Sequence, residues 1–165
     1  MLGQKGEKEA NVASGSAGEQ ERRRPVIVCA TRGGEASYPA QDRAIQEAKR
    51  RGARLIFLYV VDVDFVGDTA APIVVDVGRE VRGMGNFLLL MAKERAQAQG
   101  VESEIVIREG KVREEIPKFL QEVGADLLIL GRPQAGAAKQ VFDQHGVTPF
   151  AQAVEKSTGV PVMIV

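Results

Sequence analysis

The chain holds one cysteine, one histidine and no tryptophan in 165 residues, and aromatic residues make up only 5%. A single cysteine, Cys29, excludes an internal disulfide framework. It sits in an apolar run, where it reads as a buried small hydrophobe and not as a reactive thiol. One histidine beside one cysteine also leaves no zinc-binding set of the usual kind. Charge of one sign is missing too. Twenty-two Lys and Arg against 22 Asp and Glu give a formal net charge of zero, without the basic excess expected of a nucleic-acid binder. No apolar run approaches the roughly 18 residues of a membrane span, and no apolar signal core opens the chain. These absences predict a soluble, cytoplasmic protein with no nucleic acid and no membrane among its partners.

What remains is an ordinary globular balance, 44% hydrophobic and 27% charged, on a length that suits one core. Residues 1–24 stand apart. They are rich in Gly, Ser, Glu and Lys and nearly free of large apolar groups, so they read as a disordered tail. The Arg22, Arg23 and Arg24 cluster that closes the tail reads as solvated.

From Pro25 apolar runs alternate with helical periodicity. PVIVCAT is a short run of the kind buried on both faces of a sheet. Residues 40–51 follow as a helix with Ala40, Ala44, Ile45 and Ala48 on one stripe, Pro39 in its first turn and Gly52 at its end. ARLIFLYVVD is a second strand, and residues 63–78 form a long connection. A helix over about 79–99 places Met84, Phe87, Leu88 and Met91 at core spacing. VESEIVIREG alternates, with Val101, Ile105 and Ile107 on the richer face, as an edge strand does. VREEIPKFLQEV has helical spacing but carries Pro117, which predicts a regular helix beginning near that proline. ADLLIL is a fourth strand. A last helix starts at Pro149 with Thr148 as its N-cap, and PVMIV is a fifth strand. Five strands alternating with helices predict a parallel sheet covered on both faces, a three-layer α/β/α sandwich. Ligands of such sheets bind beyond the carboxyl ends of the strands, where strand order reverses.

Enzyme signatures are absent. There is no GxSxG elbow. The GxxxxGK[ST] phosphate loop is missing as well, because Ala137 and Ala138 follow Gly136 where Lys and Ser/Thr belong. Asp62, Asp64 and Asp68 cluster after the second strand and read as a solvated loop. His145 reads as an exposed loop residue. No metal site and no catalytic residue is assigned.

The stretches PVIVCA, ARLIFLYVVD, VGADLLILGR and FAQAVEKSTGVPVMIV, in that order and spacing, resemble the universal stress protein family over residues 25–165. The resemblance implies a five-stranded sheet of order 3-2-1-4-5 in the adenine nucleotide alpha hydrolase-like class. It also implies a homodimer formed through the last strand, residues 161–165. ATP-binding members carry a loop of the form G-x2-G-x9-G-(S/T) after the fourth strand, where glycines and a helix N-terminus meet phosphate. Gly131 matches the first glycine; Gln134 stands where the second belongs, and Thr148 and Pro149 stand where the final Gly and Ser belong. Thr31 occupies the position of an Asp that meets the nucleotide. The resemblance places Val60 where a backbone group meets adenine. Arg32 and Arg132, each following a strand end, are candidates to replace the lost phosphate contacts. Thr31, Arg32, Val60, Gly131, Arg132 and Thr148 thus form the candidate nucleotide or anion crevice, with ATP and Mg²⁺ as its implied ligands. Two functions follow. One is a stress-response protein that acts by binding, without tight ATP retention. The other is a nucleotide-binding member with a rebuilt phosphate site and slow ATP hydrolysis.

Overall fold

A computed structural model of the protein describes residues 23–62, 71–133 and 146–165, with backbone alone over 71–77. Five strands run β1 (Val26–Ala30), β2 (Arg54–Val61), β3 (Ser103–Glu109), β4 (Leu127–Leu130) and β5 (Val162–Ile164). The helices are α1 (Tyr38–Arg51), α2 (Ala71–Ala98), α3 (Val112–Val123) and α4 (Val147–Thr158), with a short 3₁₀ turn, Glu35–Ser37, ahead of α1. All strand pairs are parallel and the order is β3-β2-β1-β4-β5.

Side chains alternate across the sheet, as the period of two requires. Ile27, Cys29, Leu55, Phe57, Leu127 and Ile129 join α1 and α2 in one core. Val28, Ile56, Leu58, Leu128 and Leu130 join α3 and α4 in the other. The central strands are therefore apolar on both faces, and β3, at the edge, is buried less completely. Burial without a partner pushes the Cys29 thiol up to about 12, which leaves it protonated and inert.

α1 matches its predicted stripe: Ala40, Ala44, Ile45 and Ala48 are all buried. α2 does not. Met84 is 64% and Phe87 62% exposed, Met91 also lies outward, and Leu88 is half-buried. The core face is Gly85, Leu89, Ala92 and Ala96 instead. The reason is closeness. A Cβ on Gly85 would stand 2.8 Å from the Tyr59 ring, so the helix lies too near the sheet for Met or Phe on that side. α2 also begins at Ala71, well before the predicted start.

α3 contains Pro117 in its interior and starts at Val112, earlier than the proline suggests. The Lys111 carbonyl accepts from both the Glu114 and Glu115 N–H groups, at 2.9 and 2.8 Å, and Ile116 is buried. These contacts hold the first turn against the missing donor. Arg23 and Arg24 are engaged as well. Arg23 pairs with Asp126 at 3.2 Å, and Arg24 Nε donates to the Gly52 carbonyl at 2.9 Å. Residues 1–22 of the expected tail lie outside the described residues.

Candidate functional site

Parallel strands end on one side of the sheet. The order reverses between β1 and β4, whose last pair is Ala30 beside Leu130. The chain leaves β1 toward α1 and leaves β4 toward α4, on opposite faces. A crevice between neighbouring strand ends is the consequence. Thr31 and Gly131 are the next residues along these two strands, and Arg32 and Arg132 follow.

Thr31 is 8% exposed. Its N–H donates to the Leu58 carbonyl at 2.9 Å, which extends the β1–β2 ladder by one bond. Its hydroxyl oxygen accepts from Gly33 N–H and from Gln41 Nε2, both at 3.1 Å. Gly33 holds the turn that follows. Its φ is +75° and a Cβ there would lie 2.5 Å from Leu88 Cβ, so α2 seats directly on this turn. The Ser37 hydroxyl donates to the Gly33 carbonyl at 2.9 Å and pins it from the other side.

Arg32 and Arg132 are both exposed. Among the described residues, neither guanidinium has a hydrogen bond or an ion pair, although nine ion pairs occupy other charged groups. The Arg132 backbone is fixed, its N–H donating to the Val165 carbonyl at 2.8 Å. Gly131 packs against Ala40 at the start of α1, 3.5 Å from where its Cβ would be.

Val60 lies two residues beyond Leu58 on β2. Arg54 and Leu58 direct their backbone groups toward β1, whereas Val61 directs its carbonyl toward the β3 side. By that alternation Val60 faces the β1 side past the last paired residue of β1, beside the crevice.

Thr148 departs from its predicted role. Gly146, at φ +71°, is the N-cap of α4, and no side chain caps the helix. Thr148 is the second helical residue and is exposed. Pro149 is the third, so one of the four N–H groups that a helix N-terminus leaves unpaired is missing. Gln134, Gly136, His145, Asp64 and Asp68 lie outside the described residues. Asp62 is described and engaged in an interaction of its own.

One part of the site was not anticipated. Gln41 is 1% exposed and links Thr31 to Arg95 of α2. Arg95 Nη1 donates to Gln41 Oε1 at 2.9 Å, its Nη2 to Asp42 Oδ1 at 2.6 Å, and its guanidinium lies 3.7 Å over the Tyr38 ring. The signal was present, because Gln41 shares the apolar stripe of Ala44, Ile45 and Ala48.

Among the described residues no group of His, Cys, Asp and Glu is placed to hold a metal, and no helix is long and apolar enough to cross a membrane. A cleft of 410 Å³ lies at the opposite end of the sheet, beside Arg54, Lys93, Ser103 and Glu104. It is remote from the strand-order reversal, and the Arg54–Glu104 ion pair borders it.

Comparison with known proteins agrees with this architecture. The sequence model of the universal stress protein family matches residues 23–165. A universal stress protein of Methanocaldococcus jannaschii is 29% identical over 140 residues, 84% of this chain and 80% of that protein. The crystal structure of a universal stress protein family member from Burkholderia pseudomallei superposes with a TM-score of 0.62 at 25% identity, covering 85% of this chain and 94% of that one. A universal stress protein in complex with cAMP gives 0.59 at 26% identity over 86% and 96% of the two chains. The fold is the adenine nucleotide alpha hydrolase-like one.

Proposed function

The chain belongs to the universal stress protein family, and from that premise we propose that it is a stress-response protein that binds an adenine nucleotide reversibly in the β1–β4 crevice and does not turn it over. The observation that carries this reading is the pair of arginines, Arg32 and Arg132, left without side-chain partners where two neighbouring strands end. Exposed guanidinium groups in a protein that pairs most other charges are suited to phosphate, which they meet with two parallel N–H donors. Val60, facing the crevice beyond β1, offers backbone groups to a base. A relative 26% identical to this chain is a complex with cAMP.

Loose retention follows from α4. Its N-terminus offers N–H groups and a favourable dipole to an anion, but Pro149 removes one donor and Gly146 supplies no hydroxyl. Calorimetric titration with ATP, with and without Mg²⁺, tests the reading, together with denaturation to release any co-purified nucleotide. Micromolar to submillimolar binding without co-purified nucleotide is expected. Arg132→Ala should weaken it about tenfold or more, since a charge-assisted hydrogen bond contributes roughly 1.5–3 kcal/mol. Wild-type protein that ignores millimolar ATP overturns the reading. Slow hydrolysis in the wild type would move it to the second class, a member with a rebuilt catalytic phosphate site.

The same protein is proposed to pair through residues 161–165. β5 is an edge strand whose Val162, Met163 and Ile164 are only half-buried. Pro161 and Val165 direct their backbone groups to β4, so Val162 and Ile164 carry the outward ones. Glu155 already accepts the Val162 N–H at 2.8 Å, which leaves Ile164 as the outward-facing donor. Light scattering should report a dimer for the wild type and a monomer for Ile164→Pro. A monomeric wild type removes the proposal.

A further inference from the structure

Hydrogen-bond direction can be traced from α2 into the crevice one donor at a time. Arg95 has only donors, and its position is held by Asp42 and the Tyr38 ring. Its Nη1 donates to Gln41 Oε1. The Gln41 amide is thereby oriented, since turning it over would set two N–H donors against each other. Its Nε2 must then face Thr31, and it donates to Oγ1 at 3.1 Å. Gly33 N–H donates to the same oxygen at 3.1 Å.

A hydroxyl has two lone pairs and one proton. Both lone pairs of Thr31 are engaged, so the O–H proton alone remains to be offered. Among the described residues nothing accepts it. Thr31 is more than nine-tenths buried, where an unused donor costs free energy. It lies beside Gly131 at the strand ends and directly precedes Arg32, and Arg132 follows Gly131. A fixed proton donor beside two cationic groups matches an anionic oxygen.

We infer that Thr31 donates its hydroxyl proton to a phosphate oxygen of the bound nucleotide, so that the crevice selects phosphorylated over unphosphorylated adenosine, with Gln41 and Arg95 as positioning residues that set the direction of that bond. The inference rests on the nucleotide reading above and adds the group that is recognised and the residue that recognises it.

AMP and adenosine, which share base and ribose, are the probes, and calorimetry of the full-length protein is the readout. Thr31→Val keeps the shape and loses the proton. It should weaken AMP about tenfold and leave adenosine unchanged, while Thr31→Ser should stay within about twofold of wild type for both. Gln41→Glu retains an acceptor for Arg95 but presents a second acceptor to Thr31. The Thr31 proton then turns inward, and AMP affinity should fall about tenfold with Thr31 itself intact. The double variant should bind AMP no more weakly than Thr31→Val, because both changes remove one bond; a charge acting through space would add its effect instead. Should Thr31→Val fail to fold, the wild type and Gln41→Glu still read the same proton through their AMP-to-adenosine ratios. If Thr31→Val binds AMP like the wild type while Arg132→Ala binds it weakly, the crevice reading stands and the Thr31 assignment fails. Additive losses in the double variant also overturn the assignment. Wild-type protein that does not bind AMP overturns both.

Discussion

The two ends of the sheet treat arginine in opposite ways. At the amino ends Arg54 makes a two-pronged pair with Glu104 across β2 and β3. Arg23 there reaches Asp126 and the Gly124 carbonyl, and Arg24 reaches the Gly52 and Ala53 carbonyls. At the carboxyl ends of β1 and β4, Arg32 and Arg132 have no such partner among the described residues. The chain meets its own charge where nothing is to be bound and leaves it open where the strand order reverses. Composition is blind to this difference, because 22 basic and 22 acidic residues sum to zero wherever they stand.

Substitutions at the two ends sharpen the comparison. The largest effect is expected at the turn that carries the open end. Gly33→Ala puts a side chain at φ +75° and against Leu88. The left-handed backbone costs about 1–2 kcal/mol and the overpacking a further 1–3 kcal/mol. Urea denaturation should therefore show a loss of about 2–5 kcal/mol; a loss under about 1 kcal/mol would mean that α2 does not clamp this turn. Arg32→Ala combined with Arg132→Ala should cost nucleotide affinity up to about a hundredfold, with stability unchanged within about 0.5 kcal/mol. Appreciable destabilisation by that pair would mean the arginines serve the fold after all.

At the amino end the pattern should invert. Asp126 accepts from the Val26 N–H at 2.8 Å and pairs with Arg23. Asp126→Ala should cost about 1–2 kcal/mol and leave nucleotide binding untouched. The smallest effect is the pH dependence of Glu104, whose carboxyl is held below its ordinary value of 4.5 chiefly by the hydrogen bond from Arg54. A depressed carboxylate contributes stability that is fully present above its unfolded value and is lost as pH falls through the folded one. Both side chains are about half exposed, so solvent screens the pair. Glu104→Gln should flatten the acid limb of the stability profile slightly below pH 4.5, and salt should shrink the difference. An equal effect at neutral and acid pH would point to lost packing instead.

How far such contrasts could be foreseen is clearest from the two helices on one sheet face. α1 alternates small apolar and charged residues, so its buried stripe reads directly from the sequence. α2 carries large apolar residues outward and small ones inward, so the larger residues mislead. Hydrophobicity ranks Met84 and Phe87 above Gly85 and Ala92, but the gap between α2 and the sheet, set by Tyr59, admits only the smaller pair. The site divides in the same way. Arg32, Arg132, Thr31 and Gly131 were legible because each follows a recognisable strand. Gln41 was visible as a polar residue on an apolar stripe, yet its partners were not, because Arg95 is 54 residues away along the chain. Thr148 misled because Ser and Thr favour N-caps and Pro favours the first turn; the helix starts earlier, at a glycine whose positive φ suits the turn.

The sequence by itself determined the alternation of strands and helices, the apolar centre on both faces of the sheet, the family, and the loops that leave the strand ends. These are properties of local periodicity and order, and each is settled within a few neighbouring residues. The tertiary structure alone decided which face of α2 is buried, which arginines keep a partner, and in which direction the Thr31 hydroxyl donates. Those depend on the distance between segments remote in sequence, where a few tenths of an ångström admit or exclude a side chain and one fixed amide sets the sense of the next hydrogen bond.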